Sequence, residues 1–319
     1  MPLSAHSRPV RLRRALLAGL ITASVVLPVS AAAPPQVPAP AAVRFSADAS
    51  ASERYTASLA NLREAARMAE GAGRPERAAK LWAMTAGGAA RFLSFDGRGT
   101  GRAVEVLGDL DTADRIAVLV PGSDTTLDTY QRFRAGALAL QQRLRAEHPR
   151  SAVVAWLGYD TPGTVSTTVL TTDRAEDGAR KLAPFLEQLR RLGGSDARLS
   201  LLCHSYGSVV CARTGTGPRV TDMALYGSPG TGADTAAQLP TEARVWAGRG
   251  GDDWIAQVPH LRIAGLGFGT DPVDPAFGAR AFDAGAGGHS DYLRPGTTSL
   301  DSLARIVLGT GAPTEAPRA

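Results

Sequence analysis

A chain of 319 residues, 44% hydrophobic and 20% charged, has the make-up of a globular protein large enough for one α/β domain plus accessory segments, which excludes wholesale disorder. The formal net charge of +5 is concentrated at the N-terminus: Arg8, Arg11, Arg13 and Arg14 supply four charges, no acidic residue precedes Asp48, and the remainder is nearly neutral at +1. No basic block or aromatic-basic interleaving follows, so nucleic acid is not an expected partner.

The basic stretch through Arg14, the apolar run from Ala15 to Val29 and the small residues Val29-Ser30-Ala31 read as an export signal over residues 1–31. The run is short of the roughly 20 residues a membrane-crossing helix needs, so no stable span is expected after cleavage. Arg13-Arg14 is read as part of a general secretory signal rather than a twin-arginine one. The protein is thus expected to be secreted or extracytoplasmic. Residues 32–45 alternate proline with small residues, predicting an extended, poorly ordered spacer. Over 46–90, Tyr55, Leu59, Leu62 and Ala66 and then Leu81 and Trp82 recur at helical spacing, punctuated by Gly71-Ala72-Gly73 and Pro75. This predicts a helical pair packed on the main domain, which is placed at 91–309 with a disordered tail at 310–319.

From Arg91 onward, short β-rich runs alternate with helical segments, the pattern of a doubly wound, mostly parallel sheet. Phe92 to Phe95 and Ala103 to Leu107 predict a hairpin. Ile116 to Val120, Val153 to Trp156, Leu199 to Cys203, Met223 to Tyr226 and Arg244 to Ala247 predict successive strands. Tyr130 to Glu147 and Ala175 to Leu192 predict helices, the second with Pro184 as a candidate kink. Ligands of such sheets sit at the carboxyl ends of the strands.

At the end of the Leu199 run, Cys203-His204-Ser205-Tyr206-Gly207 leads into the small, apolar stretch from Ser208 to Ala212. Strand, sharp turn and helix in that order form a nucleophile elbow, which thrusts a serine hydroxyl into the cleft. The first glycine of G-x-S-x-G is replaced here by Cys203. The rival Ser228 is followed by Pro229, which has no N–H to offer an oxyanion, so Ser205 is the candidate nucleophile.

The base must come late in the chain, after the acid. His6 lies in the signal, His148 precedes Pro149, and His204 is read as pointing away from the Ser205 side. His260 leaves too little chain for a last strand, which leaves His289 in the glycine-flanked loop Gly287-Gly288-His289. The acid is expected after the Arg244 strand, in Gly250-Gly251-Asp252-Asp253. Asp253 is the candidate on spacing and Asp252 the alternative, with a turn or helix cap as the other role for Asp252. The loop Pro121-Gly122-Ser123 follows the Ile116 strand, so the backbone N–H groups of Ser123 and Tyr206 are the candidate oxyanion donors.

With these residues in place the chain resembles the DUF1023-type α/β hydrolases of actinobacteria. The resemblance runs over roughly residues 92–292 and is carried by Val118 to Ser123, Trp156 to Asp160, His204 to Ser208, Tyr226 to Gly230 and Gly288 to Tyr292. It implies an α/β-hydrolase fold and a Ser-His-Asp triad, and leaves the substrate open.

Cys203 and Cys211 are the only cysteines, and in an exported protein they stand as a candidate disulfide bracing strand to helix, with two buried free thiols the equal alternative. The expected chemistry is acyl transfer needing no cofactor or metal, with a carboxylic ester of a small molecule or lipid as the default substrate and amide or thioester as the alternatives. Trp156, Tyr159 and Trp254 are candidates for the pocket wall. A binding or cell-surface protein on an inactive hydrolase fold is the alternative function.

Overall fold

The computed structural model describes residues 37–86, 90–194, 196–260 and 267–311. The expected signal segment and residues 312–319 of the expected tail lie outside the described residues.

Two helices come first: α1 (Ala51–Gly71), capped by a Ser50–Glu53 capping box, and α2 (Pro75–Thr85), with proline in its first turn. Leu62, Ala65 and Ala66 of α1 and Leu81 and Met84 of α2 pack with Phe92, Phe95 and Ala103 of the first two strands, so the pair rests on the main domain. The stretch 38–45, expected as a loose spacer, is instead held on α1. Asn61 Nδ2 donates to the Ala41 carbonyl, Arg54 stacks over Phe45, and Ala39 joins the same apolar cluster. Proline-rich sequence restricts the chain without preventing it from docking.

Eight strands form one sheet: β1 (Arg91–Asp96), β2 (Arg102–Leu107), β3 (Arg115–Val120), β4 (Ser151–Leu157), β5 (Arg198–His204), β6 (Val220–Tyr226), β7 (Arg244–Gly248) and β8 (Arg280–Ala281). Their order across the sheet is β1-β2-β4-β3-β5-β6-β7-β8. β1 and β2 form the expected hairpin, β2 runs antiparallel to β4, and every later pairing is parallel. The central strands are apolar on both faces because helices cover both. On one face lie α3 (Tyr130–Glu147) and α6 (Thr298–Leu308), packed on Ala117, Leu119, Leu202 and Ala224. On the other lie α4 (Asp173–Leu192) and α5 (Tyr206–Cys211), packed on Ile116, Val118, Leu201 and Met223. α4 is continuous through Pro184.

The order turns at β3. Its chain leaves through α3 to β4 on one side and returns through α4 to β5 on the other, so the carboxyl ends of β3 and β5 are neighbours, with Val120 opposite Cys203. Such a reversal opens a crevice at the strand ends, because the two connections depart to opposite faces.

Candidate active site

Ser205 stands at that crevice. β5 ends at His204 and α5 begins at Tyr206, so Ser205 alone makes the turn, at φ 52° and ψ −127°. A left-handed non-glycine residue costs on the order of 1–3 kcal/mol and survives only where its surroundings fix it. Here the Ser205 N–H donates to the Tyr226 carbonyl at 3.0 Å, and its carbonyl accepts from Ser208 Oγ at 2.6 Å. The crossing is too tight for larger residues. A Cβ on Gly207 would lie 2.5 Å from the Val120 carbonyl oxygen, and one on Gly122 would lie 2.6 Å from the Ser205 Cβ. Cys203 and Cys211 are disulfide-bonded behind the turn, both fully buried, tying β5 to the end of α5.

Ser205 Oγ lies 3.0 Å from His289 Nε2, and His289 Nδ1 lies 2.8 Å from Asp253 Oδ1. With the carboxylate taking the Nδ1 proton, Nε2 keeps its lone pair toward the serine hydroxyl, the arrangement a general base needs. The Asp253 side chain is fully enclosed, and both its oxygens are engaged. Oδ1 also accepts from the Ile255 N–H at 2.9 Å, and Oδ2 accepts from the Tyr292 hydroxyl at 2.5 Å. Burial pushes this carboxyl up, but the hydrogen bonds from His289, Tyr292 and Ile255 outweigh it and hold it below the ordinary carboxylate value. The Tyr292 hydroxyl in turn accepts from the Gly250 N–H at 3.0 Å. Of the two candidate acids, Asp253 is the one placed against the His289 ring. It also takes the turn-capping role considered for Asp252, whose residue is exposed. The loops carrying Asp253 and His289 touch directly, since a Cβ on Gly250 would fall 2.0 Å from the Gly287 carbonyl oxygen.

His204 departs from expectation. Side chains alternate along a strand, so it does face away from Cys203 and α5, but that is the face on which the His289 loop lands. Its Nε2 donates to the His289 carbonyl at 2.8 Å, and the two rings lie 4.8 Å apart. Burial, then the neighbouring His289, lowers its pKa to about 3, so it is a neutral donor at physiological pH. The Trp254 ring packs 4.6 Å from His289, so the His289 ring is held between an inner imidazole and an exposed indole. The sequence reading missed His204 and Tyr292 as supports because their contacts exist only once the last loop folds back against β5 and the loop after β7.

The loop after β3 is pinned from behind by the Tyr159 hydroxyl, which donates to the Pro121 carbonyl at 2.7 Å, and by Asp124, whose N–H donates to the Pro162 carbonyl at 3.0 Å. Ser123 and Tyr206 both line the crevice beside Ser205, and among the described residues neither backbone N–H has a protein acceptor. Free N–H groups flanking a nucleophile can receive an oxyanion. The rival Ser228 is buried and spent on structure: its hydroxyl meets Ser208 Oγ at 2.6 Å and accepts from the Gly230 N–H at 3.1 Å. His260 sits 3.7 Å from Asp271, and His148 pairs with Asp114. Trp156 and Tyr159, candidates for the pocket wall, are core residues stacked on each other at 6.0 Å, whereas Trp254 does line the crevice.

The crevice has a volume of about 880 Å³, within the ~300–1,000 Å³ range of small-molecule sites. Among the described residues no group of three or more His, Cys, Asp or Glu side chains is placed to hold a metal ion, and no helix is long and apolar enough to cross a membrane.

The chain is 31% identical to an uncharacterized protein of Mycobacterium tuberculosis (strain H37Rv), over 69% of this chain and 38% of that protein. It is 35% identical to an uncharacterized protein of Mycobacterium bovis, over 43% of this chain and 55% of that one. It therefore spans between about a third and about half of the length of these relatives. Among solved structures, the serine hydrolase XC6422 of Xanthomonas campestris, described as lacking a lid, aligns at a TM-score of 0.41 and 17% identity over 66% of this chain and 88% of its own. The esterase LipW of Mycobacterium marinum aligns at 0.42 and 16%, over 76% of this chain and 88% of its own. A family model described as "Alpha/beta hydrolase" matches residues 96–263, more than half of the chain. With the sheet order and the strand–turn–helix at Ser205, that match makes the chain a member of the alpha/beta hydrolase family.

Proposed function

We propose that the protein is a serine hydrolase acting on carboxylic esters, exported by its basic-apolar N-terminus and belonging to the DUF1023-type group within the family. The observation that carries this reading is the continuous line from Ser205 Oγ through both His289 nitrogens to the enclosed Asp253 carboxylate. Ser205 Oγ bonds to the ester carbonyl carbon while its proton passes to His289 Nε2. Asp253 stabilises the resulting imidazolium, and the Ser123 and Tyr206 N–H groups receive the oxyanion. Collapse breaks the ester C–O bond, and the departing alkoxide takes the proton from His289. Water, deprotonated by the same ring, then releases the carboxylic acid and restores the serine.

The test is covalent labelling of the folded protein by a fluorophosphonate, with hydrolysis of a short p-nitrophenyl ester alongside. Labelling at Ser205 that disappears in Ser205→Ala is the expected outcome. A folded protein that neither labels nor hydrolyses would return the chain to the alternative of an inactive, ligand-binding hydrolase fold.

A further inference from the structure

The residues lining the crevice form two unlike arms, one on each face of the sheet. On the α4–α5 side the lining is Val169, Tyr206, Pro229 and Phe268, with the Phe268 ring set edge-on to Tyr206 at 5.7 Å and no charged residue among the four. On the α3 side the lining is Thr129, Arg132, Phe133, Asp291, Leu293 and Arg294, and Asp124, on the loop after β3, also faces the crevice. The two arms are built on opposite faces of the sheet, Phe268 packing with the α4–α5 core and Phe133 and Leu293 with the α3–α6 core.

Arg132 is placed where the fold gains nothing from it. It lies in the first turn of α3, where the helix dipole disfavours a cation, and that turn holds no acidic residue to offset it. Among the described residues it makes no ion pair within 4.0 Å, whereas Arg134, two positions on, is committed to the buried Glu105. Among the described residues the Arg294 guanidinium pairs only with Asp291, at 3.4 Å and largely in solvent, a contact that contributes little and is easily exchanged. Two guanidinium groups therefore border the α3 arm: Arg294 shares its charge with the Asp291 carboxylate, and Arg132 has no ion-pair partner among the described residues.

Chemistry decides which half of an ester occupies which arm. The departing oxygen must be within hydrogen-bond reach of His289 Nε2, and the α3 arm is lined by the residues that directly follow His289 in the same loop. Resting on the acyl-transfer reading above, we propose that the substrates are esters joining an apolar acyl group, held in the α4–α5 arm, to an alcohol bearing an anionic group, held by Arg132 and Arg294. Guanidinium groups suit such a partner because they bind phosphate and carboxylate oxygens in pairs.

The experiment compares two short, monomeric substrates sharing one acyl group: the hexanoyl ester of glycerol and the hexanoyl ester of glycerol 3-phosphate. The wild-type protein should show kcat/KM about 10-fold higher for the phosphorylated ester, a ratio that falls toward one in Arg132→Ala and in Arg132→Ala/Arg294→Ala. Raising salt from 0.05 to 0.5 M should compress the wild-type ratio in the same direction. Equal use of both esters, preference for the neutral one, or a ratio unmoved by the substitutions would overturn the proposal while fluorophosphonate labelling of Ser205 left the hydrolase reading standing. Absence of labelling would remove both together.

Discussion

Replacing Tyr292 by phenylalanine removes one oxygen atom and nothing else. That oxygen donates to Asp253 Oδ2 at 2.5 Å and accepts from the Gly250 N–H at 3.0 Å, in a residue only 3% exposed. A hydrogen bond to a charged group contributes about 1.5–3 kcal/mol, and leaving a buried N–H unpaired costs about 1 kcal/mol or more, so Tyr292→Phe should destabilise by about 2–4 kcal/mol. For a domain of this size each kcal/mol moves Tm by about 2–3 °C, giving a fall of roughly 5–10 °C in a calorimetric or circular-dichroism melt. The deficit should depend on pH with a definite sign. Asp253 is held below the ordinary carboxylate value, so its contribution is complete above the unfolded pKa and is lost as pH falls through the folded one. The Tyr292 hydroxyl is one of the causes of that depression. The gap between wild type and variant should therefore be widest near neutrality and narrow on acidification. His289 keeps its own bond to Oδ1, so kcat should fall only about 10-fold, much less than on loss of the acid itself. A variant melting within about 1 °C of wild type, or a deficit constant from pH 7 to pH 3, would refute the claim that this hydroxyl binds an ionised carboxylate.

The remaining predictions concern neighbouring supports. Asp253→Asn should lower kcat about 10³–10⁴-fold by favouring the wrong His289 tautomer, while Asp252→Asn stays within about 3-fold, both read in ester hydrolysis. His204→Phe keeps a ring under His289 but deletes the bond to its carbonyl. It should lower kcat about 10-fold with little change in KM, and His204→Gln, which can restore a donor, should recover part of the loss. Opening the Cys203–Cys211 bridge by the double serine substitution should cost about 2–3 kcal/mol in urea unfolding, in line with its short loop. For the buried Asp96, burial raises the carboxyl, but Arg98 and Arg102 outweigh it and hold its pKa at about 2. Its contribution is therefore full above about pH 4 and lost as pH falls toward 2. Asp96→Asn should flatten that part of the stability–pH curve and leave the rest unchanged.

Features that depend on local chemistry were legible in the chain. Alternating β-rich and helical runs dictated a mostly parallel sheet because strands buried on both faces must be apolar throughout, as β3 and β4 are. The turn at Ser205 was legible because small residues must follow where a helix crosses a strand closely, and Pro229 disqualified Ser228 on covalent grounds. Chain order singled out His289 among five histidines. Tertiary structure decided what depends on which surfaces meet. Asp252 and Asp253 are the same side chain one residue apart, and only the approach of Gly250 to the Gly287 carbonyl aims Asp253 at the ring. The spacing of Cys203 and Cys211 permitted a bridge without requiring one. His204, Tyr292 and the two arms of the crevice could not be read from the chain at all. The His204 contact joins β5 to a loop 85 residues away and the Tyr292 contact joins two loops 39 residues apart, and such contacts are fixed by packing rather than by any local pattern.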